Sequence, residues 1–121
     1  MEIILRQVAP IYPTGGMPQA YEYDPELGYR LRPDVHLFRT TDFQQEVRVN
    51  QLGTANFQDN FDGYQSLVFA FGDSFTHGLG VPADMSYPAQ LDLILNENQE
   101  GFYEKRFGVV NLGTPGFGGE Q

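Results

Sequence analysis

The spacing of hydrophobic positions changes character near Asp62-Gly63. Before that point, apolar residues come in short runs broken by Pro and Gly, and none keeps a helical period. Ile11 to Ala20 contains Pro13, Gly15, Gly16 and Pro18, which predicts an irregular leader. Val35 to Thr40 and Gln45 to Asn50 are expected to be strands. In the second, Val47 and Val49 share one face while Glu46 and Arg48 share the other, the period of a half-buried strand. Only Thr41 to Gln44 lie between the two, so a hairpin is expected.

After Gly63 the order becomes strand, loop, helix, strand. Leu67-Val68-Phe69-Ala70-Phe71 is continuously apolar and stops at Gly72, which predicts a parallel strand covered on both faces. A Gly-containing loop closed by Pro82 follows. A helix is expected after Ser86 as N-cap, with Pro88 in its first turn, where a missing N–H costs nothing. Tyr87, Leu91, Ile94 and Leu95 form one apolar stripe, and Asp92, Asn96 and Glu97 are expected on the other side. Val109 to Leu112 is the next strand and leads into Gly113 to Gly119. The expected fold class is therefore α/β: one βαβ unit with a parallel sheet, preceded by a strand- and loop-rich segment. Residues 1–63 and 64–121 are the two parts. No internal repeat or low-complexity tract interrupts them.

Composition narrows the function. The 121 residues suffice for one compact domain, and a hydrophobic fraction of 40% provides for a core. Sixteen acidic residues against seven basic ones give a net charge of -9. That balance argues against nucleic acid, whose binding needs Lys and Arg on phosphates, and against an anionic membrane surface. The absence of Cys removes disulfides, zinc-thiolate sites and thiol nucleophiles. The apolar run in Met1 to Arg6 is too short for a signal peptide or a membrane span, so a cytoplasmic location is expected if this start is genuine.

Ligands of open parallel sheets bind outside the carboxyl ends of the strands. Both Gly-rich loops, Gly72 to Gly80 and Gly113 to Gly119, leave such ends and should meet at one crevice. Phosphate binding fits poorly. A P-loop needs Gly-Lys-Ser/Thr, and Lys105 is the single lysine; a dinucleotide fingerprint needs Gly-x-Gly, which Gly72-Asp73-Ser74 does not supply. No cofactor or metal is expected. Acyl transfer with Ser74 as nucleophile fits better. A serine at the first turn after a strand is held by backbone, and neighbouring N–H groups can face a developing oxyanion. The Gly-x-Ser-x-Gly elbow of α/β-hydrolases is absent, because Thr76 stands where its second glycine would be.

Phe71-Gly72-Asp73-Ser74-Phe75-Thr76 resembles the first block of the SGNH (GDSL-type) hydrolases, in which the serine is the nucleophile. Val109-Val110-Asn111-Leu112-Gly113-Thr114-Pro115-Gly116 is similar to their second block, and Tyr87 to Leu91 to the helix between. The resemblance spans Ser66 to Gln121. It implies a flavodoxin-like sheet, Ser74 as nucleophile, Gly116 as a backbone oxyanion donor, and Gly72, Asp73 and Asn111 in support. The substrate it implies is a small-molecule or glycan acyl ester. Tyr23 to Tyr29, Pro33 and Val49 to Gly53 are similar to a strand-rich segment that precedes the hydrolase domain in some bacterial relatives, although Thr54-Ala55-Asn56 departs from it.

The family's third block, Gly-x-Asn-Asp, and its Asp-x-x-His base have no counterpart in these residues. The resemblance therefore covers an incomplete flavodoxin-like sheet. The chain is expected to be the front part of a longer enzyme, inactive as it stands. His77, three residues after Ser74, is expected to be a partly exposed polar residue, and His36 to decorate a strand face. The edge of the first parallel strand would be left open, which invites covering by the hairpin or self-association through that edge. A non-catalytic carbohydrate- or protein-binding module on an SGNH remnant is the competing expectation.

Overall fold

The structure, a computed structural model, describes residues 17–40, 43–97 and 106–121. Most of the expected leader and the N-terminal run lie outside them. Pro18–Ala20 forms one 3-10 turn that delivers buried Ala20 into the first strand.

Strands β1 (Tyr21–Asp24) and β2 (Gly28–Leu31) pair antiparallel, with Tyr21 opposite Leu31. The sequence reading did not include this hairpin. Its turn is nevertheless built from ordinary turn chemistry. Asp24 Oδ1 accepts from the N–H groups of Glu26 and Leu27, both at 2.9 Å. Those bonds hold the Asp24 carboxyl below its ordinary pKa, the Leu27 N–H first and the Glu26 N–H second. Strands β3 (Val35–Arg39) and β4 (Gln45–Val49) form the expected hairpin, each one residue shorter than the sequence predicted. Val47 and Val49 are buried, with Glu46 and Arg48 half-buried between them. Met17, Ala20, Tyr21 and Leu31 join these two valines in a core between the hairpins. Burial there pushes the Tyr21 phenol up to about 12.

Strands β5 (Ser66–Gly72) and β6 (Phe107–Gly113) pair in parallel, from Ser66 opposite Phe107 to Gly72 opposite Gly113. Between them come a one-turn helix α1 (Ser74–His77), a 3-10 turn at Ala83–Met85, and helix α2 (Tyr87–Glu97). The three sheets among the described residues are all two-stranded, so neither hairpin extends the parallel pair.

The outer edge of β6 is closed by side chains. Asn96 of α2 accepts from Phe107 N (3.1 Å) and donates to Phe107 O (2.9 Å). Asp92 Oδ1 accepts from Val109 N at 2.9 Å. Asn56 donates to Val109 O and accepts from Asn111 N, each at 2.8 Å. The Ala55 N–H then reaches Asn111 O at 2.9 Å. A strand's alternate N–H and C=O groups must find partners when buried, and here carboxamides and a carboxylate stand in for a neighbouring strand.

Two expectations are corrected by this packing. Asp92 and Asn96, expected on the side away from the packing stripe, are half-buried and bond to β6, while Tyr87 and Ile94 of the apolar stripe are exposed. Satisfying a strand edge outweighed the hydrophobic period of α2. Strand β5 is not covered on both faces either. Leu67, Phe69 and Phe71 are 42%, 53% and 75% exposed, because α2 packs against β6 and β5 has one neighbouring strand among the described residues. Ser86 precedes α2 as expected, but its hydroxyl donates backwards to Ala83 O at 2.9 Å.

Replacing Asn56 by Ala strips partners from Val109 C=O and Asn111 N–H. The expected loss is about 2–6 kcal/mol in urea denaturation, since each of the two orphaned buried groups costs roughly 1–3 kcal/mol. Asn60→Ala, which removes one exposed turn bond to Asp62 N, is the control and should change stability by less than about 0.5 kcal/mol.

The candidate nucleophile turn and its groove

The ends of β5 and β6 carry their loops out side by side. The last rung of the ladder is Thr114 N–H to Gly72 O at 3.0 Å, one residue beyond the paired glycines. The two Gly-rich loops therefore start in contact. Asp73 caps α1 by accepting from Phe75 N at 2.9 Å. Gly78, with φ of 85°, ends the turn and donates to Ser74 O and Phe75 O. Leu79 N–H adds a third bond to that turn, at Ser74 O, 2.9 Å.

Three further contacts lock the turn in place. Gly113 passes so close beneath α1 that a Cβ there would lie 2.6 Å from Thr76 C and 2.8 Å from His77 Cα. Gly72 is similarly covered by the Thr76 side chain, whose Cβ would lie 2.9 Å from an added Cβ and whose Oγ1 would lie closer still. From the other side, buried Gln45 of β4 donates to Gly78 O (2.8 Å) and Val81 O (3.1 Å) and accepts from Gly80 N (2.9 Å). The N-terminal hairpin thus grips the loop that leaves the candidate nucleophile. Sequence reasoning missed Gln45: a single glutamine in a strand carries no signal of a partner more than thirty residues away.

Ser74 is half-buried, and no side-chain hydrogen bond among the described residues engages its Oγ. As the first residue of α1 it has no intrahelical acceptor for its N–H. Gly116 is exposed at φ of 86°. Asn111 is 1% exposed and accepts from Gly113 N at 3.0 Å through Oδ1, while its Nδ2 is buried without a partner. Asn111 thus holds the strand end at the start of the second loop.

His77 is not the partly exposed residue that the sequence predicted. It is 8% exposed, with Nδ1 against Gly113 O at 3.1 Å. Burial holds its pKa below the ordinary value, with the bond to Gly113 opposing that shift. The ring ties α1 to β6. His36 is exposed on β3 and pairs with Glu46, as expected for a strand face.

A groove of about 800 Å³ opens where the loops leave the sheet. Gly72, Asp73 and Thr114 line it, together with Leu27, Arg30, Leu31, Pro33 and Leu52 from the N-terminal half. Ser74 directly follows the lining residue Asp73, and Gly116 falls between the lining residues Thr114 and Phe117, but neither lines the groove itself. Tyr29 ties β2 to the second loop by donating its hydroxyl to Pro115 O at 2.8 Å and packing edge-on against Phe117. Among the described residues, no cluster of His, Asp or Glu could hold a metal ion, and no helix is long and apolar enough to cross a membrane.

No protein-family model, curated protein or solved structure matches this chain.

Two predictions follow from the locked turn. Gly113→Ala should destabilise by more than about 3 kcal/mol in chemical denaturation, since backbone and not a flexible side chain must move. Gly119→Ala, where an added Cβ meets nothing within 4 Å, is the control.

His77 sets a pH dependence. Its folded pKa lies below the unfolded value near 6.5, so the unfolded chain binds the proton first as pH falls. Its contribution is fully present above about pH 6.5 and is lost progressively below it. Urea midpoints measured between pH 7.5 and 5 should fall with pH in the wild type, and the slope should flatten in His77→Gln.

Proposed function

We propose that this chain carries the nucleophile half of an SGNH-type serine ester hydrolase on an incomplete flavodoxin-like sheet. The observation that carries the reading is the joined pair of loops: the Thr114–Gly72 bond puts the Gly72-Asp73-Ser74 turn beside the turn that leads to Gly116. Ser74 Oγ is the nucleophile toward an acyl ester, and the Gly116 N–H is a donor to the oxyanion. Asp73 holds the turn by capping α1, and Gly72 and Gly113 let α1 sit directly on the strand ends. Removing an oxyanion donor from such a site typically costs ~2.7–4 kcal/mol of transition-state stabilisation.

The chemistry also needs a base to take the Ser74 proton. His77 does not serve, because its ring is buried and its Nδ1 is committed to Gly113 O. The Asp-x-x-His base and the Asn of a Gly-x-Asn-Asp block are therefore assigned to sequence outside these residues. The 121-residue chain alone should be almost inert, at most about 10³–10⁴ above water, which is what binding and the oxyanion site give without a triad. The open edge of β5 is where further structure or a second copy would pair.

A second reading, a non-catalytic carbohydrate- or protein-binding module, is favoured by the exposed rings of Tyr23, Phe38 and Phe75, at 79%, 69% and 84%. Equilibrium binding to acetylated glycans without turnover would carry it.

The deciding assay is hydrolysis of p-nitrophenyl esters by the full-length gene product. Ser74→Ala should lower kcat at least about 10³-fold with the thermal melt unchanged. Turnover that survives the substitution removes Ser74 from the reaction.

A further inference from the structure

The groove beside the nucleophile turn has a composition that selects its occupant. Leu27, Leu31, Pro33 and Leu52 line it together with Phe71 and Leu112, so its lining is largely apolar and comes from both halves of the chain. Its volume of about 800 Å³ falls within the range of small-molecule sites, roughly 300–1,000 Å³. Its charged groups are already engaged. Arg30 is held by Glu22 at 2.6 Å, with Asp24 at 4.0 Å, and Asp73 accepts from Phe75 N. With a guanidinium neutralised by two carboxylates and Asp73 adding negative charge, the groove disfavours phosphates and carboxylates. A neutral, extended apolar group is what remains.

We propose that this groove is the acyl-binding site of the ester substrate, and that it selects a medium-length acyl chain over acetyl. The inference rests on Ser74 being the nucleophile. Gly72 and Asp73 line the groove and Ser74 follows them directly, so an acyl group bound along the apolar walls has its carbonyl end at the nucleophile turn. The N-terminal segment is then the specificity element: β2 and the Asn50–Gly53 turn supply one wall, and the parallel strands supply the other. Tyr29 fixes that wall to the second loop through Pro115 O. An acetyl group leaves most of the walls wet, whereas each further buried methylene strengthens binding about fourfold.

The test uses the full-length gene product in two arms. In the first, calorimetry measures octanamide and acetamide binding to the Ser74→Ala protein, with and without Leu52→Asp. Leu52 is 61% exposed, so its substitution keeps the fold, which a thermal melt checks. Octanamide should bind at least about tenfold more tightly than acetamide, and Leu52→Asp should remove most of that preference. Equal binding of the two amides, or a preference untouched by Leu52→Asp, overturns the inference. In the second arm, p-nitrophenyl acetate and octanoate are compared as substrates. Loss of turnover in Ser74→Ala with no preference for octanoate leaves the nucleophile standing and overturns the acyl groove. Octanamide binding with turnover unaffected by Ser74→Ala removes the nucleophile, and with it the acyl-site assignment, while leaving an apolar ligand groove.

Discussion

The closing of β6's outer edge is the constraint on which the rest of the molecule depends. A two-stranded parallel sheet leaves each strand with one row of unpaired backbone groups, and burying such a row without partners is prohibitive. Asn96, Asp92 and Asn56 satisfy the row on β6 from Phe107 to Asn111. Two of those residues belong to α2 and one to the N-terminal half. A single set of hydrogen bonds therefore orients the crossover helix and fastens the hairpin-bearing segment to the α/β unit. The two strands differ sharply in consequence. Among the described residues, strand β6 has both edges partnered, whereas β5 has one neighbouring strand and three exposed apolar side chains.

That anchoring delivers the carboxyl end of β6 to a fixed place, and α1 is built on it. Gly113 admits the backbone of Thr76 and His77, the His77 ring bonds back to Gly113, and Gln45 reaches across from β4 to hold the exit loop. Each contact fixes backbone or a group other than the Ser74 hydroxyl. A reactive group is best positioned by an environment that constrains everything around it and leaves its own polar atom available. The Ser74 turn has that character, and the groove lined by both halves of the chain lies next to it.

Much of this was legible along the chain. The alternation of Val47 and Val49 with Glu46 and Arg48 located β4, and its short spacing from β3 predicted the hairpin that forms. The continuous apolar run ending at Gly72 located β5, and Val109 to Leu112 located β6. The β1–β2 hairpin was hidden because its four-residue strands are too short for a period to register, although Asp24-Pro25-Glu26-Leu27-Gly28 carries the turn chemistry. The facing of α2 was misjudged for a different reason. A hydrophobic period assumes that a helix packs through apolar residues, whereas Asp92 and Asn96 pack by hydrogen bonding to a strand edge.

The sequence by itself determined the β3–β4 hairpin, the parallel pairing of β5 and β6 across a helix, and the arrival of two glycine-rich loops at one end of the sheet. These follow from local periodicity, turn residues and the direction of strands, all of which are encoded within a few neighbouring positions. Only the tertiary structure decided which polar side chains are buried. It placed His77 against Gly113 and Gln45 against the Gly78–Val81 loop, left one face of β5 bare, and made the hairpin segment a wall of the groove. Those outcomes depend on pairings between residues more than thirty positions apart, where the satisfaction of a buried donor or acceptor outweighs the local preference of either partner.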